Sequence, residues 1–196
     1  MKFALFHIIK QDQHRFSLAN FITLTRILFL PFIVYFLQQG TTSSDYYALL
    51  FMFLAGISDF LDGRVARRLN QKSDLGRILD PVIDKISVGL IMLVLTAHKD
   101  LPLWYALIVI GRDVILLFAS LFVISRIRFV IESDALGKYT ATCLALVIIT
   151  FTINIPIVKW VLLGISLMLI PATLVSYFFA HQDVMHKMKG KETTQE

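Results

Sequence analysis

Residues 59–67 read Asp-Phe-Leu-Asp-Gly-Arg-Val-Ala-Arg, and after eight further residues 76–84 read Gly-Arg-Ile-Leu-Asp-Pro-Val-Ile-Asp. Positions three and four apart lie on one face of an α-helix. Asp59 and Asp62 therefore share a face of one helix, and Asp80 and Asp84 share a face of the next. The two segments predict a pair of helices that present four carboxylates to each other within an otherwise lipophilic chain.

Four neighbouring carboxylates repel one another and are poorly solvated at the edge of a membrane. Divalent cations relieve this repulsion, because hard cations such as Mg²⁺ take carboxylate oxygens and bridge to substrate phosphates. A set of surface charges that cap two helices is the alternative interpretation. We interpret the four carboxylates as ligands of two divalent ions, Mg²⁺ or Mn²⁺: Asp59, Asp62, Asp80 and Asp84.

The rest of the chain is strongly apolar. It has 196 residues, of which 57% are hydrophobic, and its mean hydropathy of +0.72 is far above that of a soluble protein. Six stretches are candidates for helices that cross a bilayer, which need roughly 17–25 residues. They are approximately Leu18–Leu37, Asp45–Phe60, Pro81–Ala97, Leu101–Ser125, Tyr139–Ile155 and Trp160–Ala180. The sequence predicts an all-α membrane protein with six transmembrane helices, some of which extend into water.

The two ends of the chain differ from this apolar part. The apolar residues of Met1–Phe16 lie roughly on one helical face, which predicts a helix in the cytoplasmic membrane interface. Residues 187–196 are polar and predict a disordered tail after a single membrane domain of residues 1–186. Cys143, the only cysteine, lies in the fifth apolar stretch, where a packing role is expected and no disulfide can form.

Basic residues indicate the orientation, because cytoplasmic loops carry an excess of lysine and arginine. The opposite side of the predicted bundle has only Lys99 and Lys159. The cytoplasmic side has Lys2, Lys10, Arg15, Arg64, Arg67, Arg68, Lys72, Arg77, Arg126, Arg128, Lys138, Lys187, Lys189 and Lys191. Both termini and the aspartates are therefore predicted to face the cytoplasm. The net charge of +5 reflects this asymmetry and attraction to anionic lipids, and we do not interpret it as a nucleic-acid surface.

The aspartate segments resemble the signature of the CDP-alcohol phosphatidyltransferase family, D-x-x-D-G-x-x-A-R-x₈-G-x-x-x-D-x-x-x-D, at every fixed position. Asn20-Phe-Ile-Thr23-Leu-Thr-Arg26 resembles a second, weaker family feature. The resemblance extends over nearly the whole chain in the order and length of the apolar segments. It implies a homodimeric transferase of phospholipid biosynthesis, in the bacterial cytoplasmic (inner) membrane. The implied reaction moves a phosphatidyl group from CDP-diacylglycerol to an alcohol, and CMP leaves.

The acceptor hydroxyl must lose its proton to a base. Asp84 lies one helical turn beyond Asp80, beside the predicted metals, with oxygen lone pairs that can stay free. We therefore predict Asp84 as the base, and the resemblance implies the same role. Asp80 is the alternative base. Pro81, between them, lacks a backbone donor and is expected to kink this helix.

Small residues near the aspartates are candidates for contact with the CDP moiety. Gly63, Ala66 and Gly76 have minimal side chains, which permit close approach of a nucleotide to the helix; helix packing in lipid is the alternative. Arg67 shares the face of Asp59 and is suited to bind the diphosphate.

Two polar residues at the start of the first apolar stretch are further candidates for the CDP moiety. Asn20 and Thr23 lie about one turn apart there and are predicted to bind cytidine or the diphosphate. Capping of that helix is the alternative interpretation.

Arg112 and Asp113 lie inside the fourth apolar stretch, where ionisable residues are costly and mark function. They either find separate structural partners within the bundle or leave Arg112 facing a cavity that holds an acidic acceptor. Lys138 and Arg26 are candidates to join Arg112 in a pocket for the acceptor's phosphate.

The resemblance is strongest to the branch of phosphatidylglycerophosphate synthases and eukaryotic-type cardiolipin synthases. The former tend to have Arg-Glu and Gly-Lys-x-Lys-Thr where this chain has Arg112-Asp113 and Gly137-Lys138-Tyr139-Thr140. We rank sn-glycerol 3-phosphate as the first acceptor, phosphatidylglycerol as the second, and inositol phosphate or serine after them. A non-catalytic membrane scaffold is the alternative of another class, which the intact aspartate set disfavours.

Overall fold

A computed structural model describes the backbone of residues 18–68, 74–127 and 135–192, and the side chains of 27–58, 82–119 and 136–176. The interfacial helix predicted for Met1–Phe16 lies outside these residues. The described chain is helical throughout apart from short connections. The helices are α1 (Leu18–Gln38), α2 (Thr42–Arg68), α3 (Asp74–His98), α4 (Leu103–Ile127), α5 (Ala135–Thr152) and α6 (Pro156–Glu192). The all-α class and the six helices are confirmed.

Three of the connections follow helix ends with residues in the left-handed backbone region. Gly40 after α1 has φ 66°, Asp100 after α3 has φ 57°, and Asn154 after α5 has φ 55°. Glycine, asparagine and aspartate are the residues that tolerate this conformation, which ends helices and satisfies their last carbonyl groups. These residues explain the short connections after α1, α3 and α5.

Helix α2 begins with a reciprocal cap. The Ser44 backbone N–H donates to Thr41 Oγ1 at 3.3 Å, and the Thr41 N–H donates to Ser44 Oγ at 3.2 Å. The two hydroxyl groups thus satisfy N–H groups that the first helical turn leaves without partners. The cap fixes the start of α2 immediately after the turn at Gly40.

The described residues form two compact units. The first comprises the chain up to Leu117 together with Phe151–Ile153, and the second comprises Phe118–Thr150 and the chain from Asn154 onward. In the first unit α1 packs against α2 and α3. Phe32 and Phe36 of α1 stack on Phe51 of α2 with ring centroids 5.2 and 5.6 Å apart.

The second unit contains α5 and α6, which pack as a hairpin. Thr140 of α5 and Thr173 of α6, both buried, share a hydrogen bond of 2.7 Å. The Cys143 thiol lies 3.7 Å from the Leu162 carbonyl, and the cysteine is buried and free of disulfides. The buried residues of α6 recur at spacings of four and three, the pattern of a helix with one packed face: Lys159, Leu163, Ser166, Ile170 and Thr173.

Some helix bounds differ from the predicted spans. Helix α5 ends at Thr152 because Asn154 turns the chain, three residues before the predicted end at Ile155. Helix α6 continues to Glu192, so the expectation of a disordered tail is wrong for residues 187–192. Once a helix exists, each added residue gains one hydrogen bond, and no proline follows Pro171 to stop it. Helix α3 is helical on both sides of Pro81, and a kink there stays a prediction.

Among the residues whose side chains are described, Pro156–Ser176 is long and apolar enough to cross a bilayer. Ile27–Gln38 and Leu136–Thr152 are shorter apolar helices.

Candidate functional site

The pairing of Lys99 with Asp45 determines the register between α2 and α3. Lys99 follows the end of α3, and its ammonium group contacts the Asp45 carboxylate in the first turn of α2. Fifteen residues back along α3 from Lys99 is Asp84, and fifteen residues forward along α2 from Asp45 is residue 60. Because both helices rise about 1.5 Å per residue, the two predicted pairs of aspartates lie at one height. We call this height the aspartate level, and the end that holds Lys99 and Asp45 the far end.

Helix α1 reaches the same height in the opposite direction to α2. Phe32 and Phe51 stack across the two helices, and nine residues further from this pair lie Thr23 on α1 and residue 60 on α2. The backbone thus brings the start of α1 to the aspartate level, to within about a helical turn. Helix α1 already includes Leu18, so neither Asn20 nor Thr23 is its N-cap residue, and their predicted roles stay predictions.

Most of the predicted site residues lie on helical segments for which the structure describes the backbone and not the side chains. The backbone places three groups in the halves of α1, α2 and α3 remote from the far end: Asn20, Thr23 and Arg26 on α1, Asp59, Asp62, Gly63, Ala66 and Arg67 on α2, and Gly76 and Asp80 on α3. Asp84 is described and half-buried. The roles assigned to these residues, including that of Asp84 as base, stay predictions.

An ionic cluster connects α3 and α4 at the aspartate level, and it is buried at Arg112 and Asp113 but partly exposed at Lys85. Lys85, which directly follows Asp84, donates to Asp113 Oδ1 at 2.9 Å, and Arg112 Nη1 donates to the same oxygen at 2.6 Å. Arg112 and Asp113 are 5% and 4% exposed, so both charges are removed from solvent. Gly89 lies one turn after Lys85 on α3. A Cβ added to Gly89 would lie 3.6 Å from Ile110 Cγ1 of α4, so α3 and α4 are close at this point.

The Arg112 guanidinium is incompletely paired. Its Nε is buried and has no hydrogen-bond partner among the residues that the structure describes. A buried donor without a partner costs free energy, and guanidinium groups are suited to bidentate binding of phosphate or carboxylate. Arg112 is thus a buried cation at the height of Asp84 with one donor unpaired among the described residues, and its binding of an anionic acceptor stays a prediction.

The other two candidates for an acceptor pocket are placed differently. Lys138 is exposed on α5, in the second unit, and its carbonyl accepts a hydrogen bond from Thr142. The side chain of Arg26 lies outside the described residues. The pocket of Arg26, Arg112 and Lys138 stays a prediction.

Lys85 is a residue that the sequence analysis missed. An ionisable side chain inside a predicted membrane span marks function by the same rule that singled out Arg112. Lys85 lies four residues into the third apolar stretch and next to Asp84, so the signal was present. Its partner could not be identified, because Lys85 and Asp113 are 28 residues apart in the chain.

Comparison with known proteins gives this arrangement a family. The family profile of CDP-alcohol phosphatidyltransferases matches residues 16–176 of the chain. The chain belongs to the CDP-alcohol phosphatidyltransferase family. It is thus a member of a family of membrane enzymes that depend on metal ions, and the predicted resemblance is confirmed.

Curated relatives carry two different names within this family. A CDP-diacylglycerol–glycerol-3-phosphate 3-phosphatidyltransferase of Aquifex aeolicus is 33% identical over 82% of this chain and 93% of its own length. A CMP-forming cardiolipin synthase of Streptomyces coelicolor is 36% identical over 55% of this chain and 51% of its own. The human CMP-forming cardiolipin synthase is 31% identical over 89% of this chain and 55% of its own. The chain thus spans about half the length of these two synthases, and nearly all of the Aquifex protein.

The predicted ligand set suits the metal dependence of the family. All four predicted ligands are carboxylates, the hard oxygen donors that Mg²⁺ and Mn²⁺ take. The contact of Lys99 with Asp45, which involves no metal, places the aspartate pair of α2 and the aspartate pair of α3 at one height. The residues therefore fit divalent ions, and the identity and number of these ions belong to the proposal below.

Proposed function

We propose that this protein transfers the phosphatidyl group of CDP-diacylglycerol to sn-glycerol 3-phosphate, giving phosphatidylglycerophosphate and CMP. The observation that carries the choice of acceptor is the buried Arg112, whose Nε lacks a partner among the described residues and lies at the height of Asp84. A small phosphorylated alcohol would supply the missing acceptor group. The name and nearly full-length match of the Aquifex aeolicus relative support the same choice.

In the proposed reaction Asp84 accepts the proton of the acceptor hydroxyl. The hydroxyl oxygen forms a bond to the β-phosphorus of CDP-diacylglycerol, and the bond from this phosphorus to the bridging oxygen breaks, so that CMP leaves with the electron pair. Asp80 is the alternative base. Two divalent ions, Mg²⁺ or Mn²⁺, would neutralise the diphosphate charge when bound by these side chains: Asp59, Asp62, Asp80 and Asp84.

The CDP moiety is proposed to bind between the aspartate level and the adjoining ends of α1, α2 and α3. Helix α1 begins at Leu18, so Asn20 and Thr23 both follow the position of its N-cap. Gly63 and Ala66 would permit close approach to α2, Gly76 would do so at α3, and Arg67 would bind the diphosphate.

All six helices are proposed to cross the membrane, with both termini and the aspartate level on the cytoplasmic side of a bacterial inner membrane. Exposed large apolar side chains support lipid contact, because such side chains in water would form an extended apolar surface. On α6 they form one stripe: Ile157, Val161, Ile165, Met168 and Val175. A homodimer is the proposed assembly, on the family resemblance alone.

Phosphatidylglycerol is the second candidate acceptor, which would make the protein a cardiolipin synthase. Relatives with that name match the chain, and the Arg112-Asp113 pair differs from the Arg-Glu of phosphatidylglycerophosphate synthases. Inositol phosphate and serine rank below it, and a scaffold without catalysis is disfavoured because all four aspartates are present.

The test is CMP release by the purified full chain with CDP-diacylglycerol, Mg²⁺ and one acceptor at a time. We expect turnover with sn-glycerol 3-phosphate to exceed that with phosphatidylglycerol, inositol phosphate or serine. Turnover with phosphatidylglycerol alone would replace the first acceptor by the second. If folded protein releases no CMP with any of these acceptors, the proposed reaction is contradicted.

A further inference from the structure

A single carboxylate oxygen of Asp113 on α4 accepts hydrogen bonds from two cationic side chains. Asp113 Oδ1 accepts from Lys85 Nζ at 2.9 Å and from Arg112 Nη1 at 2.6 Å, which leaves the cluster with one excess positive charge. Arg112 and Asp113 are buried, and the Lys85 side chain is 30% exposed. A buried ion pair is weak support for stability, because the desolvation of the charges offsets their attraction. In a membrane-spanning helix such residues usually serve function.

The cluster is attached directly to the predicted base. Lys85 is the residue after Asp84, and successive residues of an α-helix point about 100° apart. Lys85 therefore contacts α4 while Asp84 points in a different direction. Lys85 thus connects the turn of α3 that carries Asp84 to Asp113 of α4.

We propose that Asp113 is a positioning residue of the transfer reaction, acting through Lys85 and Arg112. With Lys85 it holds the turn of α3 that carries Asp84, and with Arg112 Nη1 it orients the guanidinium so that the Nε edge stays free for an anionic acceptor. This inference rests on the proposed function, in which Asp84 is the base and Arg112 binds the acceptor.

Loss of the Asp113 charge has a defined consequence. Arg112 would then be a buried cation without its counter-ion, and the partly exposed Lys85 ammonium would lose the contact that holds it to α4. The turn of α3 that carries Asp84 would lose its connection to α4 through Lys85. Arg112 would lose the hydrogen bond that orients its free edge.

The chain offers a matched control. Lys99 and Asp45 also form a Lys–Asp pair in the first unit, with side chains 10% and 9% exposed against 30% and 6% for Lys85 and Asp113, but they lie at the far end. The length of α3 between Lys99 and Asp84 is roughly 22 Å at 1.5 Å per residue. A purely structural role would make the two pairs equivalent in their effect on catalysis.

The experiment compares Lys85→Met, Lys85→Arg, Asp113→Asn and Asp113→Glu with Asp45→Asn and Lys99→Met in the purified full chain. Thermal unfolding gives stability, and CMP release gives kcat and the separate KM values for acceptor and CDP-diacylglycerol. Because small misplacement of a reacting group costs about 10²-fold, we expect kcat of Lys85→Met to fall by about that factor with an unchanged acceptor KM. Asp113→Asn should lower kcat similarly and also raise the acceptor KM.

The remaining variants test whether position or mere charge matters. Lys85→Arg keeps the charge and the reach, and should restore most of kcat. Asp113→Glu keeps the charge but moves the carboxylate by one methylene group, and should still lose activity; this variant decides the question if Asp113→Asn does not fold. The control variants should lower the unfolding temperature alone.

The proposal is overturned if Asp113→Glu has the same kcat and KM values as wild type. It is also overturned if the control variants lose as much kcat as Lys85→Met at an equal loss of stability. If the wild type uses a different acceptor, only the proposed acceptor is replaced. The variants are then compared with that acceptor, and the role of Asp113 is still tested. A wild type that releases no CMP with any acceptor would overturn both.

Discussion

Lys99 and Asp45 form a largely buried ion pair between the end of α3 and the first turn of α2. Their side chains are 10% and 9% exposed, and Asp45 Oδ1 has no hydrogen-bond partner among the described residues. Lys99 is one of the two lysines that the sequence assigns to the side opposite the aspartates. The other, Lys159, is also buried and donates to Asn154 Oδ1 at 2.6 Å. Both lysines thus form polar contacts within their own unit.

The first prediction concerns this pair. Lys99→Met leaves the Asp45 carboxylate buried without its cation, and removal of one partner of a buried pair costs about 3–5 kcal/mol. We expect a clear fall in the unfolding temperature in detergent, with CMP release per folded molecule unchanged. Lys99→Arg, which keeps the charge, serves as the control. Unchanged stability in Lys99→Met would mean that the pair does not link α2 and α3.

The second prediction concerns the metals. Because four carboxylates are predicted to share one level, the protein should release no CMP after chelation and should recover with added Mg²⁺ or Mn²⁺. Asp62→Asn should need more metal for half-maximal activity than wild type, since one ligand is lost. Full turnover in excess chelator, with elemental analysis showing no bound metal, would contradict the metal assignment.

The third prediction separates the base from the ligands. If Asp84 accepts the proton, Asp84→Asn should keep much of its affinity for CDP-diacylglycerol while turnover falls about 10²–10⁴-fold, the usual contribution of a general base. Metal titration of Asp84→Asn and Asp62→Asn in parallel shows whether metal affinity or proton transfer was lost. Turnover of Asp84→Asn close to that of wild type would reassign the base, most directly to Asp80.

These predictions show how far the sequence alone reaches. Periodicity and the spacing of Asp59, Asp62, Asp80 and Asp84 predicted helices α2 and α3, because helical register is a local property. Contacts between helices are not local. The sequence marked Arg112 and Asp113 as unusual, but only the structure shows that Lys85 joins them on one oxygen. The helical extension to Glu192 was missed because polar composition was taken to indicate disorder.

The fourth prediction concerns orientation. Ser43 is exposed in the first turn of α2, at the far end, and the basic residues predict that this end is outside the cell. In a Cys143→Ala background, an impermeant thiol reagent should label Ser43→Cys in intact cells. Ser73→Cys and Ser133→Cys, in predicted cytoplasmic connections, should be labelled only after permeabilisation. Labelling of Ser73→Cys in sealed cells would reverse the orientation.

The last prediction concerns the acceptor. If the free edge of Arg112 binds the phosphate of sn-glycerol 3-phosphate, Arg112→Gln should raise the KM for this acceptor and leave that for CDP-diacylglycerol nearly unchanged. A hydrogen bond to a charged group contributes about 1.5–3 kcal/mol, so kcat/KM should fall by about 10–100-fold. Lys138→Gln should act in the same direction if Lys138 shares the pocket. Since Arg112 also pairs with Asp113, the unfolding temperature must be measured beside the kinetics. A structural role predicts lost stability with both KM values unchanged, and folded variants that keep their affinity for sn-glycerol 3-phosphate would exclude the pocket.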